Sequence, residues 1–334
     1  VNGKYFLYFK VSIYIQMLSK KILSIIISFF IGILLCESIL RIKHYFVLDY
    51  DVEMWRYAKI LKTKDTNTKI NHIHLKNKKT KLQGVEISTN KFGQRDVNYK
   101  KNDLKLFDRS FLFLGSSITL GWGVEFKDTY VNLLNHKAKK ENNQWIFVNG
   151  GVGNYNTERY INNYFMNWQN LEFTDIIIHF FVNDTEIIEP AKVNFFTNNF
   201  HLGVVVWKLL NSYVSVFNPE KVEKYYEDRY KDNYKGFIIA KNELLKLSNH
   251  CKINSLNCHI ILMPDIHKLN PYKLNFINQK MKIISKEINF KFHDLLSIFE
   301  GKDEKTVWNK YGDPHPNEYA NALMGENIFL YLNK

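Results

Sequence analysis

The stretch Phe111-Leu-Phe-Leu-Gly-Ser-Ser-Ile-Thr-Leu-Gly-Trp-Gly-Val124 decides how this chain is read. An apolar run, Ser110 to Leu114, ends abruptly in Gly115-Ser116-Ser117 and gives way to small and helix-starting residues. The pattern predicts a buried strand with the serines on the turn at its carboxyl end. In open α/β sheets that edge is where ligands bind. A serine held there is exposed, with the backbone N–H groups of a helix start around it. Taken by itself, the turn is equally well an N-capping serine ahead of a helix.

Three further segments bear on the choice. Asp313-Pro-His315-Pro-Asn317 stands just ahead of a helical segment from Asn317 to Leu332. A histidine between two prolines has a restrained backbone, and an aspartate two residues earlier is placed to orient its ring. These are the base and orienter that a serine nucleophile requires, although Asp-Pro and Pro-Asn are also ordinary turn signals. Val148-Asn-Gly-Gly-Val-Gly-Asn-Tyr-Asn-Thr157 closes a second apolar strand, and its glycines let backbone approach a ligand closely. Ile176-Ile-Ile-His-Phe-Phe-Val-Asn183-Asp184 is a third strand ending in a polar pair. Polar groups thus fall at successive strand ends of one chain.

On these blocks the chain resembles the SGNH (GDSL-type) hydrolases, a family with four ordered blocks carrying Ser, Gly, Asn and His. The resemblance spans Phe107 to Lys334, about two-thirds of the chain. It implies a three-layer α/β sandwich around a central parallel sheet of about five strands, the flavodoxin-like SGNH fold. The family's nucleophile falls on Ser117, with Ser116 where Asp is common. Its base falls on His315 and its orienting acid on Asp313, here with Asp-x-His spacing rather than the commoner Asp-x-x-His. The oxyanion donors fall on Ser117, Asn154 and Asn183; Asn154 stands where the family carries Gly, and Phe181 replaces the Gly before Asn183. Asn90-Lys-Phe-Gly93-Gln-Arg95 is similar to an element that precedes the catalytic domain in membrane-anchored bacterial members, and a packing role suits it better than a catalytic one.

The resemblance implies acyl transfer without a cofactor on an ester-bearing small molecule or glycan, O-acetyl esters of a cell-envelope glycan or lipid foremost. Esterase and acyltransferase use the same residues. The alternative is a non-catalytic envelope protein of the same fold that binds glycan or a partner, and the Asn154 and Phe181 replacements favour it. Ser116 is the rival nucleophile, and Asp184 is placed to brace Asn183 or cap a helix. His267 and His293 also lie at strand ends, whereas His179 lies inside a strand and reads as a core residue.

Upstream, Ile22 to Cys36 carries no charge and is dominated by Ile, Leu and Phe. Extended to Leu40, with Glu37 near the interface, it reaches the ~20 residues that span a bilayer. Without a small-residue cleavage site it reads as an uncleaved anchor. Lys4, Lys10, Lys20 and Lys21 favour a cytoplasmic N-terminus and an extracytoplasmic domain, against Arg41, Lys43 and Arg56 on the other side. The expected organisation is an extension over 1–16, with Met17 a candidate start, then a transmembrane anchor over 17–43 and a stalk or pre-domain over 44–106. The hydrolase-like domain follows over 107–334, interrupted by an aromatic-rich insertion at 186–233 that is a lid, a substrate wall or a packed excursion.

From Phe107 apolar strands alternate with amphipathic helices, which argues for a parallel sheet covered on both faces. Strands are expected near 110–114, 145–148, 175–181, 258–263 and 290–293. Helices are expected near 127–140, 157–171, 235–252, 272–288 and 317–332. The net charge of +13 comes from spread lysines, with none of the motifs of a nucleic-acid binder. No nucleic-acid partner is expected; the charge is a solvated surface or meets acidic headgroups or polysaccharide. Cys251 and Cys258 are either a disulfide of an exported domain or two buried thiols, and no Cys/His set has zinc-site spacing.

Overall fold

The computed structural model describes residues 2–189, 194–211, 219–310 and 312–334. Within the expected insertion, 190–193 and 212–218 lie outside the described residues, as does Val1 of the expected N-terminal extension. The chain divides into two compact units, Val1–Trp55 with Val193–Tyr213, and Arg56–Lys192 with Val214–Lys334.

In chain order the elements are α1 (Asn2–Phe46), α2 (Tyr50–Ile60), β1 (Lys62–Lys64), β2 (His72–His74), β3 (Lys79–Leu82), β4 (Val85–Ser88), α3 (Lys101–Leu104), β5 (Arg109–Gly115), α4 (Ser117–Leu120), α5 (Tyr130–Lys140), β6 (Trp145–Gly151) and α6 (Thr157–Asn163). There follow β7 (Asp175–Phe181), α7 (Phe195–Asn199), α8 (His201–Asn211), α9 (Pro219–Arg229), α10 (Lys235–Ile253), β8 (Asn257–Met263), α11 (Asn275–Glu287), β9 (Lys291–Asp294), α12 (Leu296–Phe299), β10 (Trp308–Lys310), β11 (Asp313–Pro316) and α13 (Glu318–Leu332).

In the larger unit β5 to β9 form one parallel sheet in the order β6-β5-β7-β8-β9. Strand side chains alternate between faces, and both faces are apolar because both are covered. Leu112, Leu114, Ile176, Ile178, Ile260 and Leu262 enter one core, with α6, α10 and α11 packed over it. Phe111, Phe113, Ile177, Ile261 and Met263 enter the other, under α5 and α13. Each such side chain, fully buried, contributes ~1.5–3 kcal/mol. The result is the expected three-layer α/β sandwich. The chain order of the strands reverses at β5, so the crevice beyond the carboxyl ends of β5 and β7 is the topological switch point.

Three helices start later or stop earlier than their periodicity suggests; one, α11, starts at Asn275 rather than near 272. Thr129 keeps an extended backbone (φ −66°, ψ 140°), so α5 starts at Tyr130. After Asn163 the coil widens to a π turn over Tyr164–Trp168, and the Trp168 indole N–H donates to the Phe92 carbonyl at 3.1 Å. The Cys251 and Cys258 alternatives are settled as a disulfide joining α10 to β8. Residues 56–106 pack within this unit as α2's last turn, two small antiparallel ribbons (β1–β2 and β3–β4) and α3.

In the smaller unit, Gln16–Phe46 is a helix long and apolar enough to cross a membrane. Glu37 accepts from the backbone N–H groups of His201 (3.1 Å) and Leu202 (2.9 Å) at the start of α8, and from Arg41 Nε at 2.6 Å. A carboxylate at a helix N-terminus satisfies orphan donors and meets the positive end of the helix dipole.

Candidate active site

Gly115 ends β5, and the next residues turn at once into the single-turn α4, so Ser117 is lifted beyond the sheet edge. Ser116 is buried while Ser117 is only partly so. Across the edge, the β10–β11 hairpin places His315, and Ser117 Oγ lies 2.8 Å from His315 Nε2. His315 Nδ1 lies 2.6 Å from Asp313 Oδ1, which also accepts the His315 backbone N–H at 3.3 Å. The Asp-x-His spacing therefore suffices: in an extended strand residues i and i+2 share a face. With Nδ1–H donated to the carboxylate, Nε2 is the acceptor for the Ser117 hydroxyl.

Asp313 is buried, and its other oxygen accepts from Gln83 Nε2 at 2.7 Å and Asn309 Nδ2 at 3.1 Å. Burial pushes this carboxyl up, but the bonds from His315, Asn309 and Gln83 outweigh it and hold it below its ordinary value. Gln83 reaches the site from the tight β3–β4 turn, where it and Gly84 both adopt left-handed φ (50° and 85°). Gly123 (φ +76°) lets the serine loop approach the hairpin; a Cβ there would sit 1.9 Å from Asn309 Nδ2.

The other two expected residues, Asn154 and Asn183, follow β6 and β7, the strands on either side of β5. All three loops thus leave the same edge at adjacent positions, and the Asp184 carbonyl after β7 accepts the Thr157 N–H after β6 at 3.1 Å. Asn154 is exposed, with φ 65°, the left-handed backbone that glycine would supply and asparagine tolerates. Its carbonyl accepts from Arg159 Nη1 at 2.7 Å. The Oδ1 of Asn183 is buried with no hydrogen-bond partner among the described residues.

Residues 57–95 hold these loops, and no local signal in the sequence identified most of them. Gly153, next to Asn154, donates its N–H to Tyr57 Oη at 2.8 Å, and its carbonyl accepts from Lys62 Nζ (2.8 Å) and His72 Nε2 (3.0 Å). Tyr57 in turn lies 2.6 Å from His74 Nε2, and His74 Nδ1 lies 3.0 Å from the Gly93 carbonyl. The carbonyl fixes Nδ1 as the protonated nitrogen, so Tyr57 donates to Nε2. Burial and the nearby Lys62 charge push His74 down to about 3, which keeps the ring neutral in this role. A Cβ on Gly153 would lie 2.7 Å from the Tyr57 ring. Arg95 is fully buried and donates to the carbonyls of Leu120 (2.9 Å), Gly121 (2.6 Å), Val124 (2.7 Å) and Glu86 (2.9 Å), clamping the turn after Ser117.

The remaining singled-out residues have partners of their own. His179 is buried in β7, its Nδ1 2.9 Å from Tyr130 Oη, and burial pushes it down to about 3. His293 stacks on Tyr331, with Nε2 2.5 Å from Asn327 Oδ1. Asp184 braces the turn before Asn183, accepting the Phe181 N–H at 3.1 Å, with Tyr160 Oη also at 3.1 Å. His267 pairs with Asp265 beyond β8.

No family model and no curated protein matches the sequence. Among solved structures the chain is similar to the psychrotrophic esterase EstA from Pseudoalteromonas sp. (16% identity, covering 68% of this chain and 100% of that one, TM-score 0.41). It is also similar to Axe2, an acetylxylan esterase from Geobacillus stearothermophilus (14%, 68% and 95%, TM-score 0.46). A protein from Desulfitobacterium hafniense DCB-2 described as lipolytic and of the G-D-S-L family aligns at 12% identity (67% and 99%, TM-score 0.40).

Proposed function

We propose that the protein is a serine ester hydrolase of the SGNH type. In this reading Ser117 is the nucleophile, His315 the general base, Asp313 its orienter, and Ser117, Asn154 and Asn183 the oxyanion donors. The observation that carries it is the continuous relay from Ser117 Oγ through both ring nitrogens of His315 to buried Asp313, set at the switch point of a parallel sheet. A structural serine has no need of an oriented imidazole.

His315 Nε2 takes the Ser117 hydroxyl proton as Oγ attacks the ester carbonyl. The carbonyl oxygen gains negative charge, which in this reading meets the backbone N–H groups of Ser117 and Asn154 and the Asn183 amide. One such donor is worth ~3–4 kcal/mol in the transition state. As the tetrahedral centre collapses, the ester C–O bond breaks and the leaving alcohol takes the proton from His315. Water, or the hydroxyl of an acceptor, then resolves the acyl-enzyme by the same steps in reverse. Asp313 stays ionised throughout, held low by its four donors.

The substrate is an O-acyl ester, acetyl foremost, of an envelope glycan or lipid. The apolar helix at 16–46 supports a membrane-anchored setting, and the Cys251–Cys258 disulfide suits an oxidising, extracytoplasmic compartment. Asn154 stands where the resemblance puts glycine, and its left-handed backbone (φ 65°) is one that glycine adopts freely, which supports the enzyme over the non-catalytic alternative. The test is hydrolysis of p-nitrophenyl acetate by the full chain in detergent, expected to fall at least a thousandfold in Ser117→Ala. A folded wild type with no activity above buffer contradicts it.

A further inference from the structure

A second Asp-x-His pair stands at the same edge of the sheet, one loop away from the hairpin that carries His315. Pro264-Asp265-Ile-His267 leaves the carboxyl end of β8. Asp265 is buried; its Oδ1 accepts the His267 backbone N–H at 3.0 Å and also meets His267 Nδ1. The backbone bond alone would make an ordinary Asx turn. The second contact orients the imidazole as well, and a turn does not require that.

The oriented ring lines a cavity of about 270 Å³, with Asp265 behind it and Tyr226, Pro271, Leu274 and Trp308 as largely apolar walls. That volume is at the small end for ligand sites and suits one ring better than a chain. Its two lysines already have partners: Lys268 pairs with Glu304 at 3.1 Å and Lys273 with Glu223 at 3.3 Å. No uncompensated charge therefore marks it for an anion. Trp308 ties the cavity to the candidate triad. Its indole N–H donates to the Ile266 carbonyl at 2.7 Å, while in the hairpin it pairs with Pro316, next to His315.

We propose that this cavity is a subsite for the sugar ring of an O-acylated, uncharged carbohydrate, with His267 hydrogen-bonding a ring hydroxyl and Tyr226 and Trp308 packing against its apolar faces. The proposal rests on the ester-hydrolase reading and names its substrate class. An acyl chain would fill the apolar walls but offer no hydrogen bond to the oriented imidazole, whose side chain is 53% exposed. A hydroxylated ring satisfies both walls and imidazole.

The test compares kcat/KM for acetylated glucose, xylose and N-acetylglucosamine with kcat/KM for p-nitrophenyl acetate, which has no sugar to bind. It uses the full chain, His267→Gln and Tyr226→Leu. Each variant is expected to lower the sugar-ester to nitrophenyl-ester ratio about tenfold, mainly through a raised KM for the sugar ester. A wild type active on p-nitrophenyl acetate but on none of the acetylated sugars overturns the subsite, as does a ratio unmoved in both variants. A wild type inactive on every ester overturns the hydrolase reading, and the subsite falls with it.

Discussion

At the scale of single residues, the site depends on a carboxylate that four donors keep ionised. Gln83 is one of them, and it reaches Asp313 from 230 positions away. Losing a hydrogen bond to a buried charged group costs ~1.5–3 kcal/mol. Gln83→Met is therefore expected to lower kcat about tenfold with KM little changed, read on p-nitrophenyl acetate; a change in KM alone contradicts a positioning role. The pH response follows from the same bond. Asp313 titrates lower in the folded chain than in the unfolded one, so its stabilisation is whole above the unfolded value of ~3.9 and is lost as pH falls through the folded value. In Gln83→Met the folded value rises toward the unfolded one, so the acid-dependent loss of stability should be smaller and complete at higher pH, read as urea midpoints along an acid series. Ser117, Asp313 and His315 were legible because each stands in a short block where spacing constrains its chemistry. Gln83 was not: it sits in a turn of a different ribbon, and a glutamine at a turn carries no local mark of what it touches.

At the scale of elements, β5 to β9 follow the sequence closely because runs such as Ile176 to Phe181 are apolar on both alternating faces, the mark of a doubly covered strand. The clamp on the glycine loop was invisible for the converse reason. Tyr57, Lys62, His72 and His74 lie in three short elements whose periodicity is too brief to read; the first three reach backbone groups of Gly153, and His74 acts through Tyr57. Tyr57→Phe removes the acceptor for the Gly153 N–H and the donor to His74, and should reduce kcat several-fold while fluorophosphonate labelling of Ser117 persists. Full loss of labelling would mean that the loop does more than hold Asn154. The turn after β7 carries its own switch. Burial pushes Asp184 well above the usual carboxylate range. Its contribution is thus whole below the unfolded value and lost as pH rises through the folded one. Wild type is expected to lose urea midpoint as pH rises above the unfolded value of ~3.9, and Asp184→Asn to flatten that fall; parallel profiles contradict this.

At the scale of the whole molecule, the apolar helix was legible from composition, since the fifteen residues from Ile22 to Cys36 carry no charge. That Glu37 caps α8 was not, because the partner helix begins 164 residues later. If this helix spans the bilayer, the chain should stay with membranes after alkaline carbonate extraction, and release to the supernatant contradicts the anchor. The basic surface, spread rather than clustered, then faces headgroups or solvent. The central claim is that Ser117, rather than its neighbour Ser116, is an activated nucleophile. It is tested most directly by fluorophosphonate labelling of the full chain in native membranes, beside Ser116→Ala, Ser117→Ala and His315→Ala. Labelling retained in Ser116→Ala and lost in the other two is the predicted result. An intact, folded chain that takes up no label, or a label that survives Ser117→Ala, contradicts it.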